Sequence, residues 1–273
     1  DAGVFGGIVP GLARTHTVVA YDPRGNSRSP LQGPDVDQRI EVHADDARRL
    51  LVRFADAPAR VFGTSSGAQV ALDLLARHPE LTTGVVAHEP PAIELLPDAA
   101  TYRAFFDDIH AIYLREGVGP AMREFAERAG LERPVPPPEG GHPPPIAELT
   151  ARMAANSEFF LAHEMEPFAR YRPDVATIAS VKAQLVLAVG IDSRDRFSSM
   201  PAVALARELD TEVVEFPGGH AGYATRAAAF TAQLADVLAQ SGASSSSMPM
   251  VTTSKPSRSG ERSSGRNTKP ARS

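Results

Sequence analysis

The chain has 273 residues, 42% of them hydrophobic and 22% charged, a length and balance sufficient for a substantial buried core. It holds no cysteine, which excludes disulfides, thiolate metal sites and a cysteine nucleophile but says nothing about compartment, and no apolar run long enough to span a membrane. A cytoplasmic location without a membrane partner is expected. The formal net charge of −5 hides an asymmetry: Lys255, Arg258, Arg262, Arg266, Lys269 and Arg272 face only Glu261 in residues 241–273, which leaves an acidic body unsuited to nucleic acid.

The chain opens at Asp1 in mid-pattern, with helical character over residues 4–14. Thr17-Val18-Val19-Ala20-Tyr21 reads as a strand that runs into the turn-rich Asp22-Pro23-Arg24-Gly25-Asn26. Val42, Ala47, Leu50, Leu51 and Phe54 then mark an amphipathic helix. A strand at residues 60–62 leads into a helix over residues 68–78, whose Ala68, Ala71, Leu72 and Leu75 share one face. Further strands are predicted at residues 84–87, 185–189 and 212–216, with helices at 201–209 and 221–239. Strands separated by helices require crossover connections, so the fold class is α/β, a mostly parallel sheet with helices on both faces.

Residues 90–172 break the alternation. They show helical pattern only, interrupted by seven prolines between Pro134 and Pro145, and they carry Phe105, Phe106, Tyr113, Phe125, Phe159, Phe160, Phe168 and Tyr171. This stretch is expected to be a helical cap over a core made of residues 1–89 and 173–240, its aromatic residues serving mainly as packing. Residues 241–273, rich in Ser, Thr, Pro and Arg, have little to bury and are expected to be a disordered basic tail.

The chemistry concentrates in Gly63-Thr64-Ser65-Ser66-Gly67, a Gly-x-Ser-x-Gly placed between a strand and a helix. In that context it is a nucleophile elbow, a tight turn that holds the Ser65 hydroxyl out at the sheet end. Glycines at both Gly63 and Gly67 are expected because a Cβ at either position would collide with a neighbouring element. The competing reading is a serine capping a helix. A serine hydroxyl needs a base, normally a histidine oriented by a carboxylate. Among the eight histidines, His16, His43, His78, His110, His142 and His163 have ready structural roles. His220 follows the last strand through Pro217-Gly218-Gly219, which places it beyond the carboxyl edge of the sheet, where Ser65 also emerges.

Tyr21-Asp22-Pro23-Arg24-Gly25-Asn26-Ser27-Arg28-Ser29, the elbow, Ala76-Arg77-His78-Pro79-Glu80 and Pro217-Gly218-Gly219-His220 occur in an order that resembles the α/β-hydrolases over residues 1–239. The resemblance implies Ser65 as nucleophile, His220 as base and the backbone N–H of Ser66 as one oxyanion donor. It also implies that the first strands, with the loop supplying the second donor, precede Asp1, so that the chain as it stands is expected to be a poor catalyst. The acid is left open. The usual position past the penultimate strand holds Ser193, flanked by Asp192 and Asp195, whereas some branches take the acid from the strand after the elbow helix, where Glu89 stands. Glu89 is favoured, because a carboxylate at an apolar strand end needs a partner such as protonated His220.

The expected activity is a serine hydrolase cleaving a small or medium ester, amide or lactone, with no cofactor and no metal. A non-catalytic homologue that binds a ligand, and a perhydrolase or acyltransferase using the same triad, are the alternatives. The expected partner is a small acyl substrate.

Overall fold

The computed structural model describes residues 1–131 and 144–241. Most of the proline-rich run, His142 and the tail beyond Ser241 lie outside the described residues. Among the described residues four strands form one parallel sheet in sequence order: β1 (Ala59–Thr64), β2 (Thr82–His88), β3 (Leu185–Gly190) and β4 (Val213–Phe216).

Eleven α-helices are present among the described residues. In chain order they are α1 (Val9–Leu12), α2 (Ile40–Phe54), α3 (Ser66–Arg77), α4 (Ala99–Glu116), α5 (Val118–Arg128) and α6 (Pro144–Phe159), then α7 (Met165–Ala169), α8 (Val175–Ser180), α9 (Met200–Glu208), α10 (Gly222–Thr225) and α11 (Ala227–Ser241).

The two-residue period of the strands decides which helix covers which face. Ala87 and Leu187 pack with Ala68 and Leu72 of α3 and Leu205 of α9, while Val85 packs with Ala71 and Leu75. Their neighbours Val86, Ala188 and Phe216 point the other way, against Phe230, Leu234 and Leu238 of α11 and Leu12 of α1. With both faces covered, β2 is buried along nearly its whole length, which is why its Gly84-Val85-Val86-Ala87 shows no polar alternation. Each fully buried Leu or Phe here contributes roughly 1.5–3 kcal/mol relative to exposure.

Between β2 and β3 the described residues form no strand. α4, α5, α7 and a π-helical turn (Phe160–Glu164) share a core of Phe105, Phe106, Ile109, Leu161 and Met165. The end of α6 and the π turn dock on the loop that begins at Asp22. Asn26 Nδ2 donates to Glu164 Oε1 at 2.8 Å, and the Ser27 N–H donates to Asn156 Oδ1 at 2.8 Å. Gly25 lies so close to Phe159 that a Cβ would sit 2.1 Å from its ring.

Three expectations need correction. Residues 17–21 form no strand: an apolar, β-branched run becomes one only beside a neighbour that completes its ladder, and Val19 stands half exposed. The helix expected over residues 4–14 is a 3-10 turn (Ala2–Phe5) followed by the short α1. The closing helix breaks at Arg226, whose backbone leaves the helical region (φ −128°, ψ 35°) between α10 and α11.

Candidate active site

Thr64 is the last residue of β1 and pairs with His88, the last of β2. One residue further on, each strand turns sharply. Ser65 has φ 54° and ψ −131°, and Glu89 has φ 49°. Non-glycine residues avoid positive φ, at a cost of about 1–3 kcal/mol, so two such bends on adjacent strand ends mark a place where geometry outweighs local comfort. The bends are fixed by backbone bonds: the Ser65 N–H donates to His88 O, and the Glu89 N–H donates to Ala188 O, both at 2.9 Å.

Of the two elbow glycines only Gly63 fits the expected steric reason. A Cβ there would lie 2.2 Å from the carbonyl oxygen of Gly67. A Cβ on Gly67 would meet nothing within 4 Å outside its own helix, and Gly67 is exposed, so the expectation of a collision there is wrong. The constraint runs one way, from residue 63 onto the backbone of residue 67. Nor does Ser65 act as a helix cap: it stands at the N-cap of α3 without a side-chain capping bond, which leaves its hydroxyl uncommitted there. Ser66 is the first residue of α3, so its N–H has no acceptor within the helix and lies at the positive end of the helix dipole.

Glu89 is 1% exposed, an expensive position for a carboxylate, and both its oxygens are held. Oε2 accepts from His220 Nδ1 at 2.6 Å, and Oε1 accepts from the Gly190 N–H at 2.9 Å. Burial works to raise the Glu89 carboxyl; the hydrogen bond and charge of His220, with the Gly190 N–H, outweigh it and hold the group down at about 2. Asp192 and Asp195 are exposed, and neither bonds His220 among the described residues. Ser193 is buried at the position between them.

Ser65, Ser66, Glu89 and His220 line one cavity of about 100 Å³. No direct Ser65–His220 hydrogen bond forms among the described residues; such a contact often tightens only around substrate. The remaining wall is largely aromatic and comes from Phe106, Phe125, Phe160 and Phe168, with Phe197 from the loop after β3. Of the eight aromatic residues assigned mainly to packing, four therefore face the cavity. His220 also borders a second, polar cleft of about 420 Å³, with Asp192, Ser193, Arg196, Gly130 and Gly219.

No motif singles out His88 in the sequence. It is fully buried among Phe62, Phe216 and Phe230, its Nδ1 lies 3.0 Å from Thr64 Oγ1, and its Nε2 has no partner. Burial pushes the imidazole down to about 4, so it is neutral at pH 7. It ties the residue before Ser65 to the residue before Glu89; the only sign of this in the sequence was its place beside Glu89. Of the other described histidines, His110 Nδ1 lies 3.1 Å from Leu161 O and His163 Nδ1 3.3 Å from Asp37 Oδ1, while His43 packs edge-on against Phe168 with its Nε2 unpaired. Among the described residues no cluster of three or more His, Asp or Glu side chains could hold a metal ion, and no helix is long and apolar enough to cross a membrane.

A serine on an elbow at the carboxyl edge of a parallel sheet, with a histidine–carboxylate pair on the same cavity wall, is the arrangement of a hydrolase, and the chain belongs to the α/β-hydrolase fold family. Residues 2–117 match that family directly. The chain is 35% identical over 244 residues to the uncharacterized hydrolase YraK of Bacillus subtilis (strain 168), covering 87% of this chain and 84% of that one. Its fold is similar to that of a thermophilic esterase from Thermogutta terrifontis solved with malate bound (TM-score 0.67, 18% identity, 89% of this chain and 86% of the other). It is similar also to an enol-lactonase from Burkholderia xenovorans LB400 (TM-score 0.58, 18% identity, 88% and 87%).

Proposed function

We propose that the chain is a serine hydrolase that cleaves a small or medium ester, amide or lactone through an acyl-enzyme. The observation that carries the reading is the 2.6 Å bond from His220 Nδ1 to the buried Glu89 on the wall of the cavity that Ser65 shares. Glu89 fixes the tautomer: with Nδ1–H donated to the carboxylate, Nε2 carries the lone pair and faces away from Glu89.

In the first step Ser65 Oγ bonds to the substrate carbonyl carbon and its proton passes to His220 Nε2. The Ser66 N–H donates to the oxygen that becomes negative, a position the α3 dipole also favours. The tetrahedral intermediate collapses, the bond to the alcohol or amine breaks, and His220 returns the proton to the departing atom. Water then repeats the sequence on the acyl-enzyme, releasing a carboxylic acid and free Ser65. Glu89 remains ionised throughout and stabilises the imidazolium. The curated relative is itself called a hydrolase, and the esterase and the enol-lactonase share the fold, which supports the reaction class.

A fluorophosphonate probe tests the reading. The chain is expected to label, and Ser65→Ala to abolish both labelling and turnover of an activated ester. Labelling that persists in Ser65→Ala and vanishes in Ser66→Ala would show the nucleophile to be the neighbouring serine. Absence of labelling in the unaltered chain would favour a ligand-binding protein.

A further inference from the structure

Among the described residues His220 alone lines both cavities, and they differ in kind. On the Ser65 side, apart from Ser65, Ser66, Glu89, Ser198 and His220, the walls are buried or half-buried aromatic and aliphatic side chains, and the space is about 100 Å³. On the other side the space is about 420 Å³ and the walls include the exposed, oppositely charged Asp192 and Arg196. Arg196 is steadied by donating from Nη1 to Gly130 O at 3.0 Å.

We infer that the substrate is an ester of a short acyl chain and a hydrophilic alcohol, the acyl chain lying in the aromatic cavity and the alcohol in the charged cleft. The inference rests on the hydrolase reading above and adds what stands on each side of the scissile bond. Mechanism assigns the sides. The acyl carbon stays bonded to Ser65 Oγ when the carbon–oxygen bond breaks, so its chain belongs in the cavity that Ser65 lines. The alcohol oxygen takes its proton from His220, so it leaves on the side where His220 borders the cleft. That side opens to water at Asp192 and Arg196, which lets the alcohol escape while the acyl-enzyme waits for water.

Size assigns the acyl length. An apolar cavity of about 150 Å³ holds one benzene ring. At two-thirds of that, the aromatic cavity takes about four carbons. A longer chain must displace Phe125 or Phe160, both half-buried and packed ring on ring at 5.6 Å. Charge assigns the alcohol. An alkyl group laid over Asp192 and Arg196 would strip water from both without replacing its hydrogen bonds, whereas hydroxyl groups would pair with them.

The test measures kcat/KM on p-nitrophenyl esters from acetate to decanoate, and on glyceryl monobutyrate against hexyl butyrate. The expected results are a maximum at butyrate or shorter, a fall of about tenfold or more by octanoate, and preference for the glyceryl ester. Phe160→Ala is expected to move the maximum to hexanoate or octanoate, and Arg196→Ala to lower kcat/KM on glyceryl butyrate by a larger factor than on p-nitrophenyl butyrate. If Phe160→Ala does not fold, Phe125→Ala or Phe160→Leu carries the same comparison. A maximum at octanoate or beyond, a length profile unmoved in folded Phe160 and Phe125 variants, or a preference for hexyl butyrate overturns this inference alone. A chain that hydrolyses no ester and takes no fluorophosphonate at Ser65 overturns the hydrolase reading instead.

Discussion

Ser65 and Glu89 carry the same backbone signature, a left-handed bend one residue past the end of a strand. At Ser65 the strain and the chemistry can be separated. Ser65→Ala keeps the Cβ and hence the strain, so it should remove turnover and shift stability by about 0.5 kcal/mol or less. Ser65→Gly should remove turnover equally but stabilise the fold by about 1 kcal/mol, because glycine adopts positive φ without penalty. Urea unfolding of the three proteins decides it; a glycine variant less stable than the alanine one would show that the bend is not strained. Glu89 calls for a different comparison. Glu89→Gln keeps the shape but lets the imidazole take the wrong tautomer, with a cost in kcat of about ten-thousandfold. Asp192→Asn and Asp195→Asn should lose far less. An inactive aspartate variant beside a nearly normal Glu89→Gln would assign the acid to the loop after β3.

At the scale of elements, what the sequence made legible followed from local pattern. The run from Arg60 through Gly67 to His78 could be read as strand, elbow and helix because an apolar run, two glycines and a helical repeat are all local signals, and β1 and α3 lie there. The acid stayed open among Glu89, Asp192 and Asp195 because that choice depends on which loop end lies beside His220. The register that pairs Thr64 with His88, and the Glu89 N–H with Ala188 O, decides this, and register between distant strands leaves no local trace. The aromatic cavity was hidden for a related reason: Phe106 and Phe105 are adjacent on one helix and both buried, yet only Phe106 borders the cavity. The contact between the Asp22 loop and the end of α6 is another such long-range fact. Gly25 has φ +78°, and an alanine there would push its Cβ into the Phe159 ring. Gly25→Ala should therefore destabilise the fold by about 1–3 kcal/mol. An unchanged thermal midpoint would mean that α6 rides freely over that loop.

For the whole molecule, the buried ionisable groups set how stability responds to pH. Burial pushes His43 and His88 down to about 4, so between roughly pH 5 and 6 the unfolded chain holds nearly two protons on them that the native chain lacks. Glu164 opposes them. Burial raises it to about 7, against the hydrogen bond from Asn26, so in the same window the native chain holds one proton that the unfolded chain has lost. The three together leave a net excess of about one proton in the unfolded state, and stability should rise by roughly 1.4 kcal/mol per pH unit. Glu164→Gln removes the opposing proton and keeps an acceptor for Asn26, so the slope should steepen to roughly 2.7 kcal/mol per unit. Denaturant unfolding at pH 5.0, 5.5 and 6.0 measures both slopes; equal slopes would mean that Glu164 is ionised across the window. The paired carboxyls of Glu89 and Asp22 are held low and act only at more acid pH, where their contribution is lost on protonation.

Ser65, Glu89, the Gly190 N–H that braces it and His220 all stand at strand ends or in the loops just beyond them, while Phe106, Phe125, Phe160 and Phe168 come from the stretch between β2 and β3. On the proposed reading, reactivity and selectivity are inherited from different parts of the gene, and recombination could replace one without rebuilding the other. A chimera that takes residues 99–169 from another member of the family should keep its reactive serine and adopt the donor's acyl-length profile. Loss of fluorophosphonate labelling in a well-folded chimera would show instead that the two are written together.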